Sequence, residues 1–146
     1  MTISRVHNIV AVIAPNIPAM YKAHFGVPMS GAVINAINIR HSRSSVMMVD
    51  QEFFTLAEEA LKIIKEKKKK SKGNFTSPIF IVITDENCDP KTLQYALGKG
   101  AIEYEKFLEA GDPDFTWKRS KDEWHSIALG YTSGTTSSPK GVVLHH

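Results

Sequence analysis

Tyr131 to His146 read YTSGTTSSPKGVVLHH, a hydroxyl- and glycine-rich segment that leads into a short apolar run. Thr132, Ser133, Thr135, Thr136, Ser137 and Ser138 set hydroxyls around Gly134; Lys140 and Gly141 follow, then the apolar run Val142-Val143-Leu144. Short hydroxyl side chains and glycine let backbone N–H groups close around an anion, and a lysine brings a mobile positive charge to balance it. This is the composition of a phosphate-handling loop carried between two strands. A Walker A loop is excluded, because the four residues after Gly134 lead into Pro139-Lys140-Gly141, without the second glycine and the metal-binding hydroxyl. The plainer alternative is a Ser/Thr-rich surface turn.

At 146 residues, 42% hydrophobic and 23% charged, the chain has the make-up of one ordinary soluble globular domain. Its formal charge of +3 owes much to one run, Lys62 to Lys72, rather than to a distributed basic face. A single cysteine, Cys88, excludes an intramolecular disulfide and fits a reducing compartment. No stretch approaches the roughly 20 apolar residues of a membrane-spanning helix, and Ile9 to Ala14 is too short for a signal peptide.

The periodicities predict alternating strands and helices. Val6 to Ile13 is a buried strand with the near-continuous aliphatic character of a parallel sheet. A helix is expected from Pro18 to Phe25, stopped by Gly26 and Pro28, with Met20, Tyr21, His24 and Phe25 on one face and His24 as a packed or rim residue. Ala32–Ile39 and Val46–Asp50 are the second and third strands. Phe53, Leu56, Ala57, Ala60, Leu61 and Ile64 then recur at helical spacing, giving a helix from Gln51 to about Lys70 with Asp50 as N-cap. Its lysine tail is a solvated helix end rather than a nucleic-acid patch, since no interleaved aromatic side chains accompany it.

Ile79–Ile83 is a fourth strand, and Thr84 to Lys99 is polar with turn signals at Asn87, Asp89-Pro90 and Gly98. Glu103–Glu109 is expected as a short helix with Tyr104, Phe107 and Leu108 inward. Ser126–Tyr131 is the strand that delivers the loop. Asp122 and Glu123, read as lying on the lead-in to that strand, would point to opposite faces and so form no acid/base pair. The terminal pair His145-His146 is a poor metal site, because zinc wants four ligands or three plus water.

The stretch 131–141 resembles the phosphate-binding signature of the adenylate-forming superfamily, which takes in acyl-CoA synthetases, luciferases and peptide-synthetase adenylation domains. Most members carry glycine where Ser137 stands; serine there is similar to the plant acyl-activating enzymes, the acid–CoA ligase branch. The stretches FGVPM and VDQEFF are also family-like. The plant enzymes carry a leucine-rich helix between the motifs that match Asn38-Ile39-Arg40 and His41-Ser42. Here only about six residues join strand 32–39 to strand 46–50, too few for a helical crossover of about a dozen residues. An internal deletion is therefore expected, leaving either an antiparallel hairpin or an uncovered face of the sheet.

The resemblance implies an α/β fold: a mostly parallel sheet with flanking helices, an incomplete part of the adenylate-forming N-terminal domain spanning 1–146 and ending just after loop 131–141. It implies an ATP-dependent, AMP-forming acid–CoA ligase in which Thr132, Ser133, Gly134, Thr135, Thr136 and Lys140 contact phosphate while Ser138, Pro139 and Gly141 shape the loop. ATP, magnesium and CoA are the implied cofactors and co-substrates, with the acid and CoA engaged only by the complete enzyme. No catalytic or metal-ligating residue carries over, because the adenine, magnesium, ribose and catalytic-lysine motifs would lie beyond His146. The chain is expected to be inactive alone, with a cytoplasmic or peroxisomal location and no targeting signal of its own. The alternatives are a stand-alone ATP- or polyphosphate-binding module, which measurable ATP binding would favour, and a basic interaction protein using Lys62–Lys72.

Overall fold

The computed structural model describes residues 8–36, 44–71, 75–117, 119–132 and 140–146. The aliphatic runs become strands β1 (Ile9–Ile13), β2 (Val33–Ala36), β3 (Val46–Asp50) and β4 (Ile79–Ile83), joined by the short β5 (Ile102–Glu103), β6 (Ser126–Thr132) and β7 (Lys140–His145). They form one seven-stranded sheet in the order β5-β4-β3-β1-β2-β6-β7. Every described neighbour pair is parallel except β6 and β7. Val6 and Ile37–Ile39, which the strand readings also took in, lie outside the described residues.

Of the two outcomes expected for the short join between β2 and β3, the antiparallel hairpin does not form. β1 lies between them and pairs in parallel with both, Val10 opposite Ile34 on one side and opposite Val46 on the other. The chain must therefore return the length of a strand, about 16 Å, and step across two strand spacings, about 10 Å. The nine residues 37–45 can reach about 30 Å, so the parallel arrangement is attainable without a crossover helix.

Alternating side chains build a core on both faces. On one face Val12, Ile34, Met48, Ile81 and Ile83 meet Ala19, Ala23 and Val27 of α1 (Pro18–Met29) and Tyr104 of α4 (Tyr104–Glu109). On the other, Ala11, Met47 and Val49 meet Ala57 of α2 (Phe54–Lys70), and Phe54 and Val82 meet Ala96 of α3 (Pro90–Gly98). The sheet is less covered towards its far end: β6 residues are at best half-buried, and β7 is mostly exposed.

Three local expectations change. α1 does not stop at Phe25: Gly26 and Pro28 are helical, and the end comes at Gly31, whose φ of 82° suits glycine. Gly31 N–H donates to the Pro28 carbonyl and Ala32 N–H to that of Val27, the paired bonds of a Schellman cap. The buried face of α1 is the small one, Ala19-Ala23-Val27, which lets the helix sit close to the strands; Tyr21, Phe25 and His24 point out. His24 Nδ1 bonds the Met20 carbonyl one turn back at 2.9 Å.

The second change is α3, which lies in the segment read as polar turns. Asp89 is its N-cap, accepting from Lys91 N–H (3.3 Å), Thr92 N–H (3.2 Å) and the Thr92 hydroxyl (2.8 Å), with Pro90 in the first turn. Asp-Pro before Leu93 and Ala96 is a helix start as much as a turn signal. Third, in α4 only Tyr104 is buried; Phe107 and Leu108 stay more than 40% exposed, because six residues offer one inward turn.

The long second helix forms where the sequence puts it, but its inward face differs: Phe54 and Ala57 are buried, whereas Leu56 of the expected stripe is 64% exposed. Asp50 accepts from Glu52 N–H at 3.0 Å and opens a tight 3-10 turn, Gln51–Phe53, before α2 begins. The last turn of α2 holds Lys67, Lys68, Lys69 and Lys70, cations where the helix dipole favours them.

Candidate phosphate-binding hairpin

β6 is held in the sheet by β2, with Ile34 opposite Ala128 and Asn35 opposite Leu129, so it runs with the parallel strands. Its C-terminal end therefore opens at the edge of the sheet where open α/β folds place their ligands. β7 returns antiparallel, and Thr132 stands directly opposite Lys140. Directly opposed residues project on the same face of an antiparallel pair, so this hydroxyl and this amine share one side of the hairpin mouth. Both are exposed.

Of the six phosphate-contact candidates, Thr132 and Lys140 are thus brought together. Ser133, Gly134, Thr135 and Thr136, with Ser137, Ser138 and Pro139, lie outside the described residues. Gly141 is already within β7, opposite Tyr131. A Cβ built there would meet the Tyr131 ring at 3.4 Å and Leu129 Cδ1 at 3.7 Å, so the glycine makes room for the tyrosine to lie across the neighbouring strand. Burial pushes the Tyr131 phenol above its usual range, keeping it neutral.

The carboxylates before β6 are not on a strand. Asp122 and Glu123 sit in a turn, where Asp122 Oδ1 accepts from Trp124 N–H at 3.0 Å and Ser120 Oγ donates to the Asp122 carbonyl at 2.6 Å. Asp122 is thus a turn former rather than part of an extended lead-in to β6. His145 Nδ1–H donates to the Trp124 carbonyl at 2.6 Å, and the two rings meet edge-on at 5.6 Å, tying the end of β7 to that turn. The sequence had offered no role for His145; an aromatic before one strand and a histidine near the end of its partner was the available signal. Among the described residues no group of three or more His, Cys, Asp or Glu could hold a metal ion.

The family model for AMP-binding enzymes matches residues 4–146. This chain belongs to the AMP-binding enzyme family. It is 63% identical over 148 residues to an acetate–CoA ligase of Humulus lupulus, and 62% identical over 148 residues to a peroxisomal acetate/butyrate–CoA ligase of Arabidopsis thaliana. Each comparison covers 94% of this chain and 26% of the relative. This AMP-binding chain therefore spans about a quarter of the length of the curated relatives it matches.

Both alignments are longer than the 146-residue chain itself, so the relatives carry positions that this chain lacks. Among solved structures, an anthranilate–CoA ligase bound to anthranoyl-AMP superposes with a TM-score of 0.73 at 20% identity, over 97% of this chain and 26% of that one. The acetoacetyl-CoA synthetase of Streptomyces lividans superposes at 0.66 and 18% identity, over 95% and 22%. At those identities the likeness speaks for the fold: a mostly parallel sheet with flanking helices, shared with part of a larger adenylate-forming enzyme.

Proposed function

We propose that residues 1–146 are part of an AMP-binding domain and carry the ATP phosphate-binding loop, 131–141, of an ATP-dependent, AMP-forming carboxylic acid–CoA ligase. The observation that carries this reading is the register of β6 and β7, with Thr132 opposite Lys140 at the ligand-bearing edge of the sheet. Ser133, Gly134, Thr135 and Thr136 belong to the stretch those two residues bracket. In this reading hydroxyls and backbone N–H groups hold the β- and γ-phosphates, and the Lys140 ammonium balances the charge that grows on pyrophosphate as it leaves. Such stabilisation acts on the transition state and needs no proton transfer from the loop.

The acid, CoA and magnesium are proposed for the whole enzyme. The described residues offer no cluster of carboxylates or histidines fit to hold the metal. Without the opposite wall of the cleft the chain alone is expected to turn over no acid, since catalysis depends on the preorganisation of a whole site. The names of the relatives favour a small acid such as acetate as substrate, and the name of the Arabidopsis relative favours a peroxisomal site of action. No helix among the described residues is long and apolar enough to cross a membrane.

Thermal unfolding of the full chain with and without magnesium-ATP tests the proposal. At tenfold excess over Kd, binding stabilises by about 1.4 kcal/mol, which for a chain of this size raises Tm by roughly 3–6 °C. Lys140→Ala is expected to abolish the rise while leaving the unliganded Tm in place, because its side chain is exposed. A transition indifferent to ATP refutes phosphate binding by this chain. A rise without thioester formation in a CoA assay matches the expected inactivity, whereas turnover refutes it.

A further inference from the structure

A second concavity lies away from the hairpin, between α2 and the start of β4. It has a volume of about 390 Å³ and is bordered by the α2 side chains Glu58, Leu61, Lys62 and Lys65, by Phe75 and 77–80, and by Lys99 and Gly100 at the end of α3. That volume falls in the range of small-molecule sites. Its floor is apolar: the half-buried Leu61, Phe75 and Phe80 line it, Phe80 backed by the fully buried Phe54 with ring centroids 5.1 Å apart, and Ile79 is 55% exposed at its rim. Exposed isoleucine at the mouth of a groove is apolar surface left to water, available to a ligand's own apolar body.

The rim is cationic. Glu58 Oε1 lies 3.5 Å from both Lys62 Nζ and Lys99 Nζ, and its other oxygen accepts from the Tyr95 hydroxyl at 2.7 Å. Tyr95's hydrogen bond, then the two ammonium groups, hold the Glu58 carboxyl below its usual range, so it stays charged and fixes the two lysines over the groove. Lys65 makes no ion pair among the described residues. Three ammonium groups against one carboxylate leave positive charge facing the groove.

The shape of that charge restricts its ligand. No guanidinium fork borders the groove, and the end of α3 presented there is its C-terminus, whose carbonyl dipoles repel negative charge. A polyphosphate would meet both that dipole and Glu58. A single carboxylate can sit towards Lys62 and Lys65 while an apolar tail covers Leu61, Phe75, Phe80 and Ile79. We propose that the groove between α2 and β4 binds a small amphipathic monoanion, an alkyl or aryl monocarboxylate, at a site separate from the phosphate-binding hairpin.

Titration of the full chain with octanoate, followed by heteronuclear NMR, tests this. Shifts should concentrate on Phe75–Phe80, Lys99 and Gly100, with octanol and inorganic phosphate each binding at least tenfold more weakly. The double variant Lys62→Gln/Lys65→Gln, both exposed side chains, should weaken octanoate at least tenfold and leave octanol unchanged. Shifts spread over the other exposed apolar side chains, or octanoate affinity unchanged in the double variant, would overturn the proposal. So would phosphate binding as tightly as octanoate, or no octanoate binding by a chain that still unfolds cooperatively.

Discussion

Replacing Phe54 by alanine is expected to cost about 4 kcal/mol of folding stability. Phe54 is the first residue of α2 and is fully buried, its ring 5.1 Å from that of Phe80 and 6.2 Å, edge-on, from that of Tyr95. It therefore joins the sheet to α2 and α3 at one point, and no side chain beside it can fill the void without moving a helix. Large-to-small substitution at a buried Phe costs about 3–5 kcal/mol, and losing two aromatic neighbours, each worth about 0.5–1.5 kcal/mol, places this site above the bottom of that range. Domains have only about 5–15 kcal/mol in total, so a large share of stability goes. Phe25 supplies the control: it is 56% exposed and its ring meets Tyr21 at 5.0 Å, so Phe25→Ala should cost under about 1 kcal/mol. Urea denaturation followed by far-UV circular dichroism, with m-values compared, measures both. A Phe54→Ala loss below about 1.5 kcal/mol at unchanged m, or a Phe25→Ala loss as large, would refute the assignment of the core.

Two further predictions address the helix starts. Asp50→Ala removes the acceptor of Glu52 N–H in a partly buried setting and should destabilise by about 1 kcal/mol, read from urea midpoints, with Asp50→Asn close to wild type. Asp89 is held below the usual carboxylate range by the Thr92 hydroxyl first and by the Lys91 N–H next. A depressed folded-state value means its contribution is complete above the unfolded carboxylate pKa and lost as pH falls through the folded one. Stability measured by denaturation across acidic pH should therefore decline less steeply in Asp89→Ala than in wild type; identical slopes would remove Asp89 as an acid-sensitive cap.

Much of the secondary structure was legible in the sequence, because it rests on local periodicity. The aliphatic runs of β1, β3 and β4, the helical spacing of α2 with Asp50 as the cap of its lead-in turn, and the strands on either side of the hydroxyl-rich stretch each follow from residue types at fixed spacing. α3 was present too, in Asp89-Pro90, but the same dipeptide serves turns and helix starts, and only the inward packing of Ala96 separates them.

Tertiary structure decided what local spacing leaves open. α1 has two candidate faces, one aromatic and one small; the small face won because close approach to β1 and β2 excludes large rings. Phe107 and Leu108 are as apolar as core residues, yet α4 is too short to turn them inward together with Tyr104. The insertion of β1 between β2 and β3 could not be read from a short linker, since pairing is a competition among strands far apart in the chain. For the candidate site, the sequence by itself supplies the hydroxyls, glycine and lysine of the stretch 132–140. Placing Thr132 and Lys140 across from each other at the C-terminal edge of the parallel strands required β2 to hold β6 and β6 to hold β7, because register is a property of paired strands and not of either strand alone.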